Sequence, residues 1–424
     1  MSRRSWVPVP EGSDFPLANL PYGIFRRAGE PPRVGVAIGD RVLDLDAVQR
    51  AGVLDGEPAL PQGVFGHGSL NPFMELGRPA WKRVRARLTE LLEEGDHVPL
   101  DARGVVARAL IDRSGVELLL PVEIGDYVDF YSSLEHASNM GAMLRPGGDP
   151  LPPNWRHLPV GYHGRAGSVA VSGTPVVRPS GQAVRADGSP AFGPTEMLDF
   201  ELEVGFIAGV PNVLGAPVPI EKAPEHIFGC VLVNDWSARD IQRWEYAPLG
   251  PFLGKSFMTS MSPWVVTLDA LEPYFVPGPE QTLPVLDYLR GNRDLAIDLD
   301  LEVTLVSPAM TDLGMEPSII SSTNFKTLYW SIAQQLAHAT SNGARLRTGD
   351  LFTSGTVSGP SPGTYGSMIE LTWSGERPIV LPDGSKRTWL EDGDTVAIRG
   401  VCGSVEGVPP VGFGEVRGAV VPAP

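Results

Sequence analysis

Cys230 and Cys402 are the only thiols in 424 residues. Two cysteines cannot build a disulfide framework or a thiolate zinc centre, which excludes the cysteine-stapled secreted scaffolds and agrees with a reducing, cytoplasmic setting. Basic charge is also scarce, since 34 Lys and Arg face 50 Asp and Glu for a net charge of -16. Such a surface repels phosphate backbones and no basic stripe offsets it, so nucleic acid is excluded as a partner. No apolar run comes near the ~20 residues of a membrane span. The two arginines within Met1 to Phe15 have no apolar stretch behind them, so neither membrane insertion nor an export signal is expected. A small anionic substrate would have to be drawn in by a local group of Arg and Lys or by a bound cation.

Glycine and proline are plentiful, at 49 and 42 residues. They interrupt long helices, one by raising the entropic cost of order and the other by removing a backbone donor, which points to short strands and many turns. The chain length suits two domains. Residues 1–118 read as a small β-barrel module, with strands at Arg33 to Ile38 and Arg41 to Leu45 flanking Gly39-Asp40. A helix is expected over Ala80 to Glu94, where Trp81, Val84, Leu88 and Leu91 recur at helical spacing before Gly95. Residues 119–424 alternate apolar runs with turns and read as a second, larger β domain with few helices. Its strands are expected at Ser168 to Val171, Phe200 to Phe206, Gly229 to Asn234, Trp264 to Leu268, Ala296 to Val306 and Thr395 to Val401. One further helix is expected behind Thr323 as N-cap, with Phe325, Leu328, Ile332 and Leu336 on one face and Asn342-Gly343 as its stop.

Common catalytic signatures fail. Gly359-Pro360-Ser361-Pro362-Gly363 has proline after the serine, which removes the N–H that a nucleophile elbow needs, so it reads as a turn. Gly250 to Ser256 is one residue short of a phosphate-binding loop, and no HExxH is present. Other residues carry chemistry. In the run Leu198 to Phe206 a period of two puts Glu201 and Glu203 on one face and Phe200, Leu202 and Val204 on the other. That alternation describes either the wet face of an amphipathic strand or oxygen donors for Mg²⁺ or Ca²⁺. Asp235 at a strand end and Asp129 in an aromatic segment add two more carboxylates. Ser132 and Glu135 form a capping-box pattern, which places His136 in the first turn of a short helix, where the helix dipole favours a neutral ring able to act as a base.

The stretches DFYSSLEHASNMG from Asp129, NWRHLPVGYHGRAGSVAVSGTP from Asn154, LDFELEVGF from Leu198, GCVLVNDWSARDIQRWEYAPLGPFLGKSF from Gly229, LFTSGTVSGP from Leu351 and GSMIELTW from Gly366 resemble the fumarylacetoacetase family. The resemblance implies a mainly β fold, with a small N-terminal SH3-like barrel over 1–118 followed by a mixed β-sandwich roll over 119–424. It implies a homodimer that hydrolyses the diketo dicarboxylate fumarylacetoacetate to fumarate and acetoacetate, the last step of tyrosine and phenylalanine catabolism. Shorter relatives, the acylpyruvate hydrolases and the 2-keto acid hydratases or decarboxylases, are the alternative. By the same resemblance a Ca²⁺ or Mg²⁺ ion is held by Asp129, Glu201, Glu203 and Asp235, and a neighbouring cation position falls on Lys255 and Thr259, although Met258 stands where glycine is expected. His136 matches the general base and Glu370 the carboxylate behind it. Arg239, Gln242 and Lys255 match donors to a developing alkoxide, while Tyr131, Arg145, Tyr162, Gln242, Tyr246 and Thr356 match substrate-binding positions.

Overall fold

Short apolar runs between glycines and prolines fold as short strands, and the computed structural model describes them over residues 3–145, 147–291, 295–403 and 407–424. Among the described residues thirteen strands join one mixed sheet. They are β1 (Tyr22–Arg26), β2 (Arg33–Ile38), β3 (Arg41–Asp44), β4 (Leu110–Asp112), β5 (Glu117–Leu119), β6 (Tyr127–Phe130), β7 (Gly161–His163), β8 (Val169–Val171), β9 (Leu202–Ala208), β10 (Ile227–Asp235), β11 (Thr259–Met261), β12 (Trp264–Thr267) and β13 (Leu351–Thr353). The helices that frame the cores and the site are α1 (Arg78–Leu92), α2 (Leu134–Leu144), α3 (Arg239–Glu245), α4 (Leu253–Ser256), α5 (Ile332–Thr340) and α6 (Met368–Leu371). The main strand order is β4-β3-β2-β1-β12-β10-β9-β13-β6-β7; β5 pairs with β1, while β11 pairs with both β10 and β8. All ladders of this sheet are antiparallel except β13 with β6 and β11 with β8.

The expected N-terminal barrel is not closed among the described residues. β1 divides one edge between two partners, with Tyr22 and Gly23 opposite Val265 and Trp264 of β12, and Ile24 to Arg26 opposite Leu119 to Glu117 of β5. β4 and β5 are joined by the 3-10 turn Arg113–Gly115 but do not pair, so the five strands curl into an open arm of the larger sheet. Gly23 makes the junction with β12 possible, since a Cβ there would meet the Trp264 ring at 2.7 Å.

Alternation sets the two cores. Leu202, Val204 and Phe206 of β9 and Cys230 and Leu232 of β10 point into one cluster, whereas Ile207, Val231 and Val233 point into another with Tyr22, Phe73, Trp81 and Leu88. The central sheet is thus buried on both faces. The first cluster is completed by a second, five-stranded sheet with Ser318–Asn324, Asp300–Val306, Thr395–Cys402, Val411–Val421 and Val176–Val177 in that order. Its Leu301, Val303, Val396, Ile398 and Val416 face β9 and β10, and Gly400 lies close under Leu232.

The helix expected at Ala80 to Glu94 is α1, and Trp81, Val84, Leu88 and Leu91 are its buried stripe. The helix expected behind Thr323 starts later. Thr323 is in a strand, Phe325 opens a 3-10 turn, and α5 begins only after Ser331, whose side chain forms a capping box with Gln334. Phe325, Leu328, Ile332 and Leu336 nevertheless share one core. Their spacing reported a common buried face that three consecutive pieces of backbone provide. Both cysteines are free and buried, and burial pushes the Cys230 thiol up to about 12.

Candidate active site

Three strands of the central sheet, the neighbours β9 and β10 and, beyond β13, β6, bring the acidic residues together. Asp129 leaves β6, Glu201 and Glu203 flank the start of β9, and Asp235 ends β10, where its N–H binds the Glu201 carbonyl. One oxygen from each of Asp129, Glu201, Glu203 and Asp235 lies within 4.8 Å of the others, and all four residues are buried. The glutamates are therefore no solvated strand face. Lys255 Nζ donates to Glu201 Oε2 at 2.5 Å and to Asp235 Oδ2 at 2.6 Å. Thr259 donates to Asp235 Oδ1 at 2.7 Å, and Thr353 donates to Asp129 Oδ1 at 2.8 Å. Glu203 has no hydrogen-bond partner on either oxygen among the described residues.

The electrostatics follow from that distribution. Burial, reinforced by the neighbouring carboxylates, pushes Asp129 and Glu203 well above the ordinary carboxylate range, and Asp235 rises for the same reason. Glu201 is equally buried, but the flanking Lys255 and Arg239 hold it well below that range. A wholly buried carboxylate with no donor requires a proton or a cation. The donor set is all oxygen, so the cluster fits a hard divalent ion of the Mg²⁺ or Ca²⁺ kind.

A second group stands across the same cavity. Ser133 caps α2 by accepting the His136 N–H at 3.2 Å, one residue later than the expected Ser132 cap. His136 Nδ1 is 2.7 Å from Glu370 Oε2. Glu370 is further held by Asn139, one turn beyond His136, and by the hydroxyls of Ser358 and Ser367. Burial pushes its carboxyl up, yet His136 and the hydrogen bonds from Ser367 and Asn139 bring it below the usual range. The Tyr131 ring meets the imidazole edge-on, with centroids 5.2 Å apart.

Arg239 opens α3 and reaches back between the two groups. Its Nε donates to Asp199 at 2.7 Å and Nη1 to Gln242 at 3.1 Å, while Nη2 stands 2.8 Å from Glu201 Oε1 without hydrogen-bond alignment. Asp129, Tyr131, His136, Tyr162, Glu201, Arg239, Gln242, Tyr246, Lys255 and Thr356 all line one cavity of about 460 Å³, and the buried Thr356 hydroxyl has no hydrogen-bond partner among the described residues. Lys255 also lines a neighbouring cavity of about 170 Å³ with Asp235 and Thr259. Arg145 is not among the lining residues of either; it is exposed and its guanidinium binds the Pro150 carbonyl. Arg243, one turn after Arg239, does line the larger cavity. The residues 359–363 form a turn, as expected.

Sequence reasoning passed over Asp199, Asn139, Ser358, Ser367, Thr353 and Arg243. Asp199 was within reach, because it shares the odd-numbered alternation of Glu201 and Glu203. Asn139 sits three residues after His136 on the same helix. The serines and Thr353 become recognisable only when the chain brings them beside Glu370 and Asp129.

Oxygen donors for a divalent cation beside a carboxylate-backed imidazole equip a protein for cation-assisted acid–base chemistry. The chain belongs to the fumarylacetoacetate hydrolase family, with residues 127–421 matching the fumarylacetoacetate hydrolase C-terminal model and residues 18–121 the fumarylacetoacetase N-terminal model. It is 50% identical to the fumarylacetoacetase of Homo sapiens and 51% identical to that of Caenorhabditis elegans, each over 99% of both chains. Its fold is similar to that of a fumarylacetoacetate hydrolase from psychrophilic Exiguobacterium antarcticum, with a TM-score of 0.52 at 19% identity over 95% of this chain and 99% of the other.

Proposed function

We propose that this protein is a hydrolase that cleaves fumarylacetoacetate to fumarate and acetoacetate, the last step of tyrosine breakdown. One observation carries the chemistry: the carboxylate-backed His136, the fixed cations Arg239 and Lys255, and Asp129 and Glu201 of the carboxylate cluster all line a single cavity. Identity of about half over the whole chain to fumarylacetoacetases supports the substrate.

With its Nδ1 engaged by Glu370, His136 offers Nε2 to a water. Water oxygen bonds to the carbonyl carbon of the fumaryl group, its proton passes to Nε2, and Glu370 stabilises the imidazolium that results. The bond to the acetoacetate carbon then breaks, its electron pair passes to acetoacetate as an enolate, and His136 returns the proton. Arg239, Gln242 and Lys255 donate to the oxygen that becomes negative. Tyr131, Tyr162, Tyr246 and Thr356 seat the substrate, with Arg145 assigned to its outer end. Asp129, Glu201, Glu203 and Asp235 would hold Ca²⁺ or Mg²⁺, which when bound supplies Lewis-acid polarisation and a counter-charge for the enolate. Lys255 and Thr259, beside Asp235, form the neighbouring cation position.

The division into 1–118 and 119–424, with the first part a relative of SH3-like barrels, belongs to the same reading. So does a cytoplasmic homodimer; among the described residues no helix is long and apolar enough to cross a membrane, and Leu249 and Phe252 stand exposed at the cavity rim. The deciding experiment follows the loss of the enol-diketone absorbance when fumarylacetoacetate meets the purified protein with Mg²⁺ or Ca²⁺. Cleavage of an acylpyruvate but not of fumarylacetoacetate would overturn the substrate assignment.

A further inference from the structure

We propose that Asp199 is a positioning residue that aligns Arg239 and seats Glu370 at once, so that one buried carboxylate fixes both sides of the site. The inference rests on the roles given above to Arg239, His136 and Glu370. Asp199 is wholly buried and lines neither cavity next to the cluster. It sits in the two-residue strand Leu198–Asp199, antiparallel to Ser237–Ala238, immediately before α3 takes Arg239 away. Its Oδ1 accepts the Met368 N–H at 2.6 Å; its Oδ2 accepts the Ile369 N–H at 3.1 Å and the Arg239 Nε–H at 2.7 Å. Met368 and Ile369 are the first two residues of α6, and Glu370 is the third.

The geometry gives Asp199 two jobs. A planar guanidinium is oriented when its edges are separately bound. Asp199 takes the Nε edge of Arg239, Gln242 takes Nη1 and Glu201 stands by Nη2, so the plane cannot turn without breaking a contact. Glu201 is shared with Lys255 and with the cation cluster, which leaves Asp199 as the carboxylate that answers the buried Arg239 charge. On its other side Asp199 binds the first N–H groups of α6 and thereby holds the turn that presents Glu370 to His136. Catalytic groups act at full strength only when held within a fraction of an ångström, and a neighbouring layer of hydrogen bonds is what holds them.

Asp199→Asn keeps the volume and one oxygen for the Met368 N–H, but sets an amide N–H₂ against both the Arg239 Nε–H and the Ile369 N–H. The test measures kcat and KM for fumarylacetoacetate at saturating Mg²⁺ in the full chain for wild type, Asp199→Asn, Arg239→Lys, the pair, and His136→Ala, with a thermal melt of each. The expected result is a fall in kcat of about 10²-fold in Asp199→Asn with KM within about threefold of wild type. In the Arg239→Lys background, the same change is expected to slow turnover by no more than about twofold, because both substitutions break one unit. Wild-type kcat in folded Asp199→Asn, or losses that multiply in the pair, overturns the inference. If Asp199→Asn does not fold, Arg239→Lys decides. It keeps the charge but cannot span three partners, so a loss of about 10²-fold supports the inference and wild-type kcat overturns it. A His136→Ala protein that turns over normally would instead overturn the reading of the site itself.

Discussion

His136 commits Nδ1 to Glu370, the proposed function gives its other ring nitrogen to a water, and the consequences of that division can be measured one residue at a time. His136→Ala is expected to lower kcat/KM by ~10² to 10⁴-fold, the usual worth of a positioned base. Glu370→Gln is expected to lose less, since an amide still orients the ring but cannot neutralise the imidazolium. If His136→Ala keeps most of the wild-type value at saturating Mg²⁺, the base assignment is wrong. Glu370 also carries a pH signature. Its carboxyl is held below the ordinary range in the folded chain, so the folded state favours the ionised form. The stability it contributes is present above the unfolded glutamate value, near 4.5, and is lost as pH falls below it. Urea unfolding of wild type and Glu370→Gln should therefore show a stability gap from about pH 6 to 8 that closes below about pH 4.5. A gap that widened in acid would refute the shift. Much of this residue-level picture was legible in the chain. The alternation through Glu201 and Glu203 named a shared face, and the family resemblance named Asp129, Asp235, His136 and Glu370. What a one-dimensional pattern could not show is that β10, β9, β13 and β6 are successive strands of one sheet, which is why the alternation by itself read first as a wet strand face, with a cation site as the other reading. Asp199 shares the same alternation and went unremarked because its partners, Arg239 and the start of α6, are brought to it only by the fold.

Elements matter through how closely they approach. α4 carries Lys255 and α3 carries Arg239, and the two helices touch at Gly254, where a Cβ would lie 2.7 Å from the Gln242 nitrogen and 2.8 Å from its Cβ. The glycine read from sequence as part of a near-miss phosphate loop is a spacer that lets two cation-bearing helices meet. Gly254→Ala is expected to destabilise by about 1 to 3 kcal/mol, the range for overpacking a tight contact. It should also lower kcat by more than the melt explains, because Arg239 and Lys255 are moved apart. Unchanged kinetics with an unchanged melting temperature would show that the contact is loose. Helix starts were read less well than strands. Ser133 and Ser331 are the caps where Ser132 and Thr323 were expected. Serines occur as neighbours in 132–133, and only the backbone angle at the first residue decides which of them turns its oxygen inward. For α5, the strand Ser318–Asn324 claims Thr323 for a ladder with Leu301, so its hydroxyl never meets the helix.

For the whole molecule the dominant electrostatic fact is the buried cluster rather than the surface charge. Of the four carboxylates, Glu201 and Asp235 are paired with Lys255 and Glu201 also stands by Arg239, whereas Glu203 has no hydrogen-bond partner among the described residues. Removing bound divalent ions with a chelator should abolish turnover and lower the melting temperature, and Mg²⁺ or Ca²⁺ should restore both. A ligand at 100 times its dissociation constant adds about 2.7 kcal/mol to stability, a shift that a melt resolves easily. Protein shown metal-free by elemental analysis that melts and turns over like wild type would remove the cation from this account. The change in texture after Leu118, on which the proposed division into a small β part and a larger one rests, was legible in the chain. The direct ladder between them was not, because Tyr22 and Val265 are far apart in the chain and nothing local marks them as partners.

That ladder has a consequence for the life of the chain before it is an enzyme. As the protein emerges from the ribosome, β1 can pair with β2 at once, but the stretch of its other edge at Tyr22 and Gly23 belongs to β12, deep in the second half of the sequence. At about 5 to 20 residues per second of synthesis, that edge waits for its partner on the order of ten seconds or more. During this interval Tyr22 and the apolar cluster around it have no lid, and the open strand can recruit another nascent chain instead. The ribosome-bound half-protein is accordingly expected to be the species that chaperones hold, and the arrival of Trp264 over Gly23 the event that releases it.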